Sequence, residues 1–205
     1  MKITSRKQLS FFIQADWMIN RGKFKPSFKD KVWGLIIPDY IMSYLEAMRK
    51  VSYYKNGGGI FRIPLLLYYY RKYHKLGIKL GFHIGNDVFG YGLKIPHYGT
   101  IVVGGKNEIG NYAVLHTSTC ITGNGKTIGD GLYLSTGVKI TSKLRLGNNI
   151  SIGANSLVNK NFEKDNLLIG GIPASIIKET EAWYIRDHYE EKVEKIEKLK
   201  KSYGL

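Results

Sequence analysis

The chain has 205 residues, a formal net charge of +15 and a single cysteine, Cys120. One cysteine excludes an internal disulfide framework and points to a reducing compartment, while the excess of Lys and Arg points to an anionic partner. The basic residues are spread rather than gathered into an arm, so nucleic acid is not expected. Met1 to Gln14 lacks the apolar core of a secretory signal, and the expected location is the cytoplasm, with contact at the inner membrane face.

In chain order, residues 1–80 read as a helical N-terminal lobe. Its best helical segments are Lys31 to Ile37, Asp39 to Tyr54 and Pro64 to Leu76, punctuated by Pro38 and Gly57-Gly58-Gly59. Pro64 suits a first helical turn. The apolar stretch Ile60 to Tyr70 is interrupted by Arg62 and is too short to span a bilayer. Tyr68, Tyr69, Tyr70 and Tyr73 are expected to form a packed helix face.

Residues 81–178 carry an aliphatic residue at every sixth position. Ile128, Leu134, Ile140, Leu146, Ile152 and Val158 form one unbroken run. A period of six fits neither a helix nor a simple strand; it is the repeat of a parallel β-helix, three hexads to a triangular coil. Ile109, Leu115 and Ile121 continue the run upstream, with one extra residue near Gly123-Asn124-Gly125. Ile95 and Ile101 stand further upstream, which places two extra residues near Gly104-Gly105-Lys106. Cys120 falls within a repeat strand, where an inert packing role is expected. Residues 179–205 read as one charged amphipathic helix, Glu179 to Tyr203, with Ile185, Tyr189, Val193, Ile196 and Tyr203 on its apolar side.

Two histidines lie inside the repeats. His97 follows Ile95 by two and His116 follows Leu115 by one. Once the two extra residues are allowed for, both fall on the same corner of successive coils, which stack about 4.8 Å apart. No Cys or carboxylate completes a ligand set around them, so no metal is expected. A neutral imidazole suits removal of a proton from an alcohol at neutral pH. Backbone N–H groups of the Gly-rich corners are the expected oxyanion donors. A Gly-x-Ser-x-Gly elbow and a P-loop are both missing.

At these residues the chain resembles the hexapeptide-repeat acetyltransferases of the serine acetyltransferase branch. The resemblance rests on Gly92-Leu93-Lys94-Ile95-Pro96-His97-Tyr98-Gly99-Thr100, on Ser151-Ile152-Gly153-Ala154-Asn155-Ser156-Leu157-Val158 and on Gly170-Gly171-Ile172-Pro173-Ala174-Ser175. It implies a left-handed parallel β-helix with a helical N-terminal lobe and a C-terminal helix. It further implies a homotrimer with acetyl-CoA bound in grooves between subunits. On this resemblance His97 is the general base and His116 orients it or the acceptor. Gly123, Ser135, Thr136, Gly153 and Ala154 line or adjoin the pantetheine groove, and Lys160, Ile172 and Pro173 lie toward the CoA phosphates.

The acceptor half departs from that pattern. Pro96 stands where an Asp commonly precedes the base, Gly81-Phe82-His83-Ile84 offers no upstream Asp, and the serine-holding loop is cut to Gly123-Asn124-Gly125-Lys126-Thr127. The stretches Ile3 to Phe12, Ile37-Pro38-Asp39-Tyr40-Ile41 and Met48-Arg49-Lys50 resemble O-acetyltransferases of surface polysaccharides, O-antigen or capsule. The expected reaction is therefore direct transfer from acetyl-CoA to a sugar hydroxyl of such a polysaccharide or its precursor. The alternatives are serine O-acetyltransferase of cysteine biosynthesis and a non-catalytic hexapeptide scaffold.

Overall fold

A computed structural model describes residues 1–57 and 62–205; Gly58, Gly59, Ile60 and Phe61, part of two segments noted above, lie outside the described residues. Four helices come first: α1 (Arg6–Arg21), α2 (Phe28–Ile36), α3 (Tyr40–Asn56) and α4 (Ile63–Leu80). Their ends follow local chemistry. Ser5 with Gln8 and Ser27 with Asp30 form capping boxes, Asp39 accepts from the Met42 amide, and Pro64 occupies the first turn of α4. Helix α1 was not singled out from the sequence. Of the four tyrosines, Tyr73 stacks on Tyr44 and Tyr69 on Tyr54, but Tyr68 and Tyr70 remain exposed.

The remaining chain winds into about five coils of a left-handed parallel β-helix. The first coil starts with β1 (Phe82–Ile84). The second holds β2 (Ile101–Val103), β3 (Glu108–Ile109) and β4 (Val114–Leu115). The third holds β5 (Thr119–Ile121), β6 (Thr127–Ile128) and β7 (Tyr133–Leu134). The fourth holds β8 (Lys139–Ile140), β9 (Arg145–Leu146) and β10 (Ser151–Ile152). The fifth holds β11 (Leu157–Val158) and β12 (Leu167–Gly171), against which β13 (Ala174–Glu179) folds back antiparallel. The first face is β1-β2-β5-β8-β11, the second β3-β6-β9, and the third β4-β7-β10-β12-β13.

Every corner aliphatic of the hexad run is buried, Leu134, Ile140, Ile152 and Val158 completely. Each such side chain contributes about 1.5–3 kcal/mol by leaving water. One corner differs from the sequence reading. Ile121 pairs with Val103, not Ile101, so Val103 is the corner and Ile101 the inward residue two before it. Val103 to Ile109 is then a regular hexad. The two extra residues lie instead between Ile95 and Val103, in the turn that carries His97. Both Ile101 and Val103 point inward, so hydrophobicity alone did not distinguish them.

The helical lobe closes the first coil. Trp17, Ile41, Met42, Tyr44, Leu45 and Met48 share one core with Phe82, Ile84, Val88, Phe89 and Leu93. Within it lies a buried ion pair. Arg49 Nε donates to Asp16 Oδ2 at 2.8 Å, its other nitrogens reach the Phe89 and Gly90 carbonyls, and Asp16 accepts from the Leu93 amide. Burial pushes the Asp16 carboxyl up against the pull of Arg49.

The tail differs from one continuous helix. Glu179 ends β13, a short α5 (Trp183–Arg186) follows, and His188 with φ 60° turns the chain before α6 (Glu190–Ser202). The break seats Trp183 fully buried on the third face, where its Nε1 donates to the Tyr112 carbonyl at 2.7 Å. Phe11, Phe12, Tyr91, Val114 and Ile196 complete this second core, so α1 and α6 cover the outside of the third face.

Candidate active site

Turns from the third face to the first form one ridge along the prism. Pro96–Thr100, His116–Ser118, Ser135–Gly137 and Gly153–Asn155 stack in that order, and the Gly170–Pro173 tip of the β12–β13 hairpin follows them. The His116 amide donates to the Leu134 carbonyl, Ser135 to Ile152 and Gly153 to Ile169. His97, His116, Ser135, Thr136, Gly153, Ala154, Ile172 and Pro173 therefore share this corner. Gly123 and Lys160 do not. Both lie in turns from the first face to the second, across the width of the first face, and both are exposed.

The two histidine rings are 6.3 Å apart between centroids and inclined by 45°. His97 is exposed, and among the described residues no protein hydrogen bond holds its ring. His116 is half-buried, with Nε2 3.0 Å from the Tyr133 hydroxyl. Burial first, then the charges of His97 and Lys94, lowers its pKa from the ordinary imidazole value, with Asp187 pulling the other way. Tyr133 has its own pKa raised, by burial and then by Asp187.

Cationic side chains border the pair. Lys94 Nζ stands 3.7 Å from the Tyr189 ring centroid and 5.2 Å from that of Trp183. Arg186 lies over the Tyr133 ring at 5.0 Å, donates to Ser151 Oγ at 3.1 Å and pairs with Asp187. Lys94, Tyr133 and Ser151 were not picked out from the sequence. Their signal was available, since each directly precedes a corner aliphatic of the third face. Arg186 and Asp187 had none, because the fold of the tail brings them here.

Several of the expected oxyanion donors are otherwise engaged. The Gly99 amide donates to Leu80, Gly137 to Thr117, Asn155 to Thr136, and Gly171 to Ser156 Oγ. These glycine corners hold coils together. Below the His97 turn, where Gly81 packs against Gly99, a cleft of 290 Å³ is lined by Tyr44, Tyr73, His74, Gly77, Ile78, Gly81, Phe82 and His83.

A hexad-built left-handed β-helix with a helical lobe at one end and histidines along one corner has the architecture of the hexapeptide-repeat acetyltransferases. Among solved structures the fold is similar to serine acetyltransferase of Neisseria gonorrhoeae, with TM-score 0.61 at 20% identity over 88% of this chain and 69% of that one. It is also similar to the Brucella abortus serine acetyltransferase in complex with coenzyme A, with TM-score 0.57 at 22% identity over 85% and 68%. In sequence it is similar to the serine acetyltransferase of Synechococcus elongatus, 27% identical over 43% of this chain and 38% of that protein. The enzyme of the same name from Staphylococcus aureus is 28% identical over 48% and 47%. The chain thus spans less than half the length of these curated relatives. No family model matches it.

Proposed function

We propose that this chain is an O-acetyltransferase that moves the acetyl group of acetyl-CoA directly to a hydroxyl, with His97 as general base. The carrying observation is the ridge that aligns the free imidazole of His97 with His116 and the predicted pantetheine positions Ser135, Thr136, Gly153 and Ala154. His97 takes the proton of the acceptor hydroxyl as its oxygen attacks the thioester carbonyl. The tetrahedral intermediate then expels the CoA thiolate, which recovers the proton from the imidazolium. A homotrimer fits this division of residues: Gly123 and Lys160, across the first face from His97, join a donor groove when a neighbouring subunit packs between the two corners.

Two acceptors are consistent with the site. The names of the sequence relatives and solved neighbours support serine. A sugar hydroxyl is favoured by a local observation: the side chains beside the histidines are Lys94, Arg186 and tyrosines, and Asp187 is already paired with Arg186. That set holds no unpaired carboxylate for a free ammonium. Half-buried Tyr73 in the cleft under His97 offers an aromatic ring to a sugar, and the basic groups suit an anionic, lipid-linked saccharide presented at the inner membrane face. Thiol release from acetyl-CoA, scanned over serine, nucleotide sugars and repeat-unit oligosaccharides, decides between them. Turnover with none of these, together with no binding of acetyl-CoA, would leave the scaffold reading.

A further inference from the structure

Helix α2 buries no residue. Only Asp30, bonded to Lys23 and Ser27, and Gly34, where a Cβ would meet nothing within 4 Å, are not fully exposed. Its large apolar side chains are open to solvent: Phe28 is 83% exposed, Leu35 85%, Ile36 73% and Trp33 54%, with Val32 between them and Ile37 just beyond. Positions 28, 32, 35 and 36 fall on one helical face. Exposed Lys25, Lys29 and Lys31 flank this face. The only acid from residue 22 to 38 is Asp30, already held by Lys23 at 2.5 Å and by Ser27.

We infer that α2 is a docking element for an anionic phospholipid surface, lying in the plane of the bilayer with Phe28, Val32, Leu35 and Ile36 immersed and Trp33 at the border of that face. An exposed apolar face of this kind marks an interaction site. Its charge selects the partner. A short in-plane helix with aromatic and aliphatic side chains on one side and lysines around them is suited to the boundary between headgroups and acyl chains. A second copy meeting this face through its own α2 brings the same lysines to the contact and is repelled. Among the described residues no helix is long and apolar enough to cross a membrane, so contact through α2 is peripheral. The inference goes beyond both acceptor readings, because lipid binding is measured without donor or acceptor.

Trp17 and Trp183 are buried, so Trp33, exposed at the border of this face, is the tryptophan that reports on its approach to lipid. The full chain is titrated with vesicles of phosphatidylglycerol and phosphatidylethanolamine and, separately, with pure phosphatidylcholine. The expected result is a blue-shifted emission and co-sedimentation with the anionic vesicles only, weakened by salt. The double variant Leu35→Glu/Ile36→Glu is expected to bind those vesicles at least about tenfold more weakly, with its oligomeric state unchanged in light scattering. Wild-type emission unmoved by anionic vesicles overturns the inference, as does equal binding to phosphatidylcholine. So does a double variant that dissociates in the absence of lipid, which would assign the face to a second copy. If the double variant does not fold, the wild-type titration still decides.

Discussion

His97 and His116 sit one coil apart on the same corner, 6.3 Å between ring centroids, yet only His116 is anchored, by the Tyr133 hydroxyl at 3.0 Å. The unanchored ring lies in the turn lengthened by two residues, and the anchored ring lies in the regular turn above it. This asymmetry, one ring unanchored and one held, is what the proposed roles of base and orienting residue rest on.

His97→Ala is expected to lower thiol release by about 10²- to 10⁴-fold, the usual contribution of a general base. His116→Ala and Tyr133→Phe are expected to lose less. All three should keep the wild-type circular dichroism spectrum. A folded His97→Ala variant with near wild-type turnover removes His97 from the mechanism.

The pH dependence of stability follows from His116. Its folded-state pKa lies below the ordinary imidazole value of 6.5 because of burial and then of His97 and Lys94. The unfolded chain therefore binds the proton more tightly, and stability falls as pH drops below about 6.5 and is recovered above it. His116→Gln keeps a partner for Tyr133 and should flatten that part of the curve. Denaturant titrations at stepped pH measure it; identical slopes in the two proteins would refute the assignment.

Arg49→Met leaves the Asp16 carboxylate buried without its guanidinium, and the Phe89 and Gly90 carbonyls without a donor. The expected loss is about 3–5 kcal/mol in urea unfolding. Asp16→Leu combined with Arg49→Met should cost less than the two single changes added together. Strict additivity would mean that the pair is not coupled.

Two glycines should respond in opposite directions. A Cβ at Gly104 would stand 2.2 Å from the Gly123 Cα, backbone that cannot swing aside, so Gly104→Ala should cost about 1–3 kcal/mol. At Gly34 in α2 a Cβ meets nothing within 4 Å, so Gly34→Ala should gain up to about 1 kcal/mol of helix propensity. Thermal unfolding compares them, and a neutral Gly104→Ala would mean that the stacked turns yield.

Much of the solenoid was legible because its core repeats. Each of Ile128, Leu134, Ile140, Leu146, Ile152 and Val158 must fill the same interior position, and the constraint writes a period into the chain. The same count put His97 and His116 on one corner, and their rings are neighbours. The count failed where two inward positions both hold aliphatics: Ile101 and Val103 satisfy the interior equally, and only the pairing of Val103 with Ile121 located the extra residues in the His97 turn.

By itself, then, the sequence determined the coil, its corners and the histidine pair, because one-dimensional periodicity encodes burial that recurs. Tertiary structure decided what packs on the prism from outside: Trp183 and Arg186 on the third face, and Tyr133 against His116. Those contacts join segments distant in the chain and occur once each, so no period announces them.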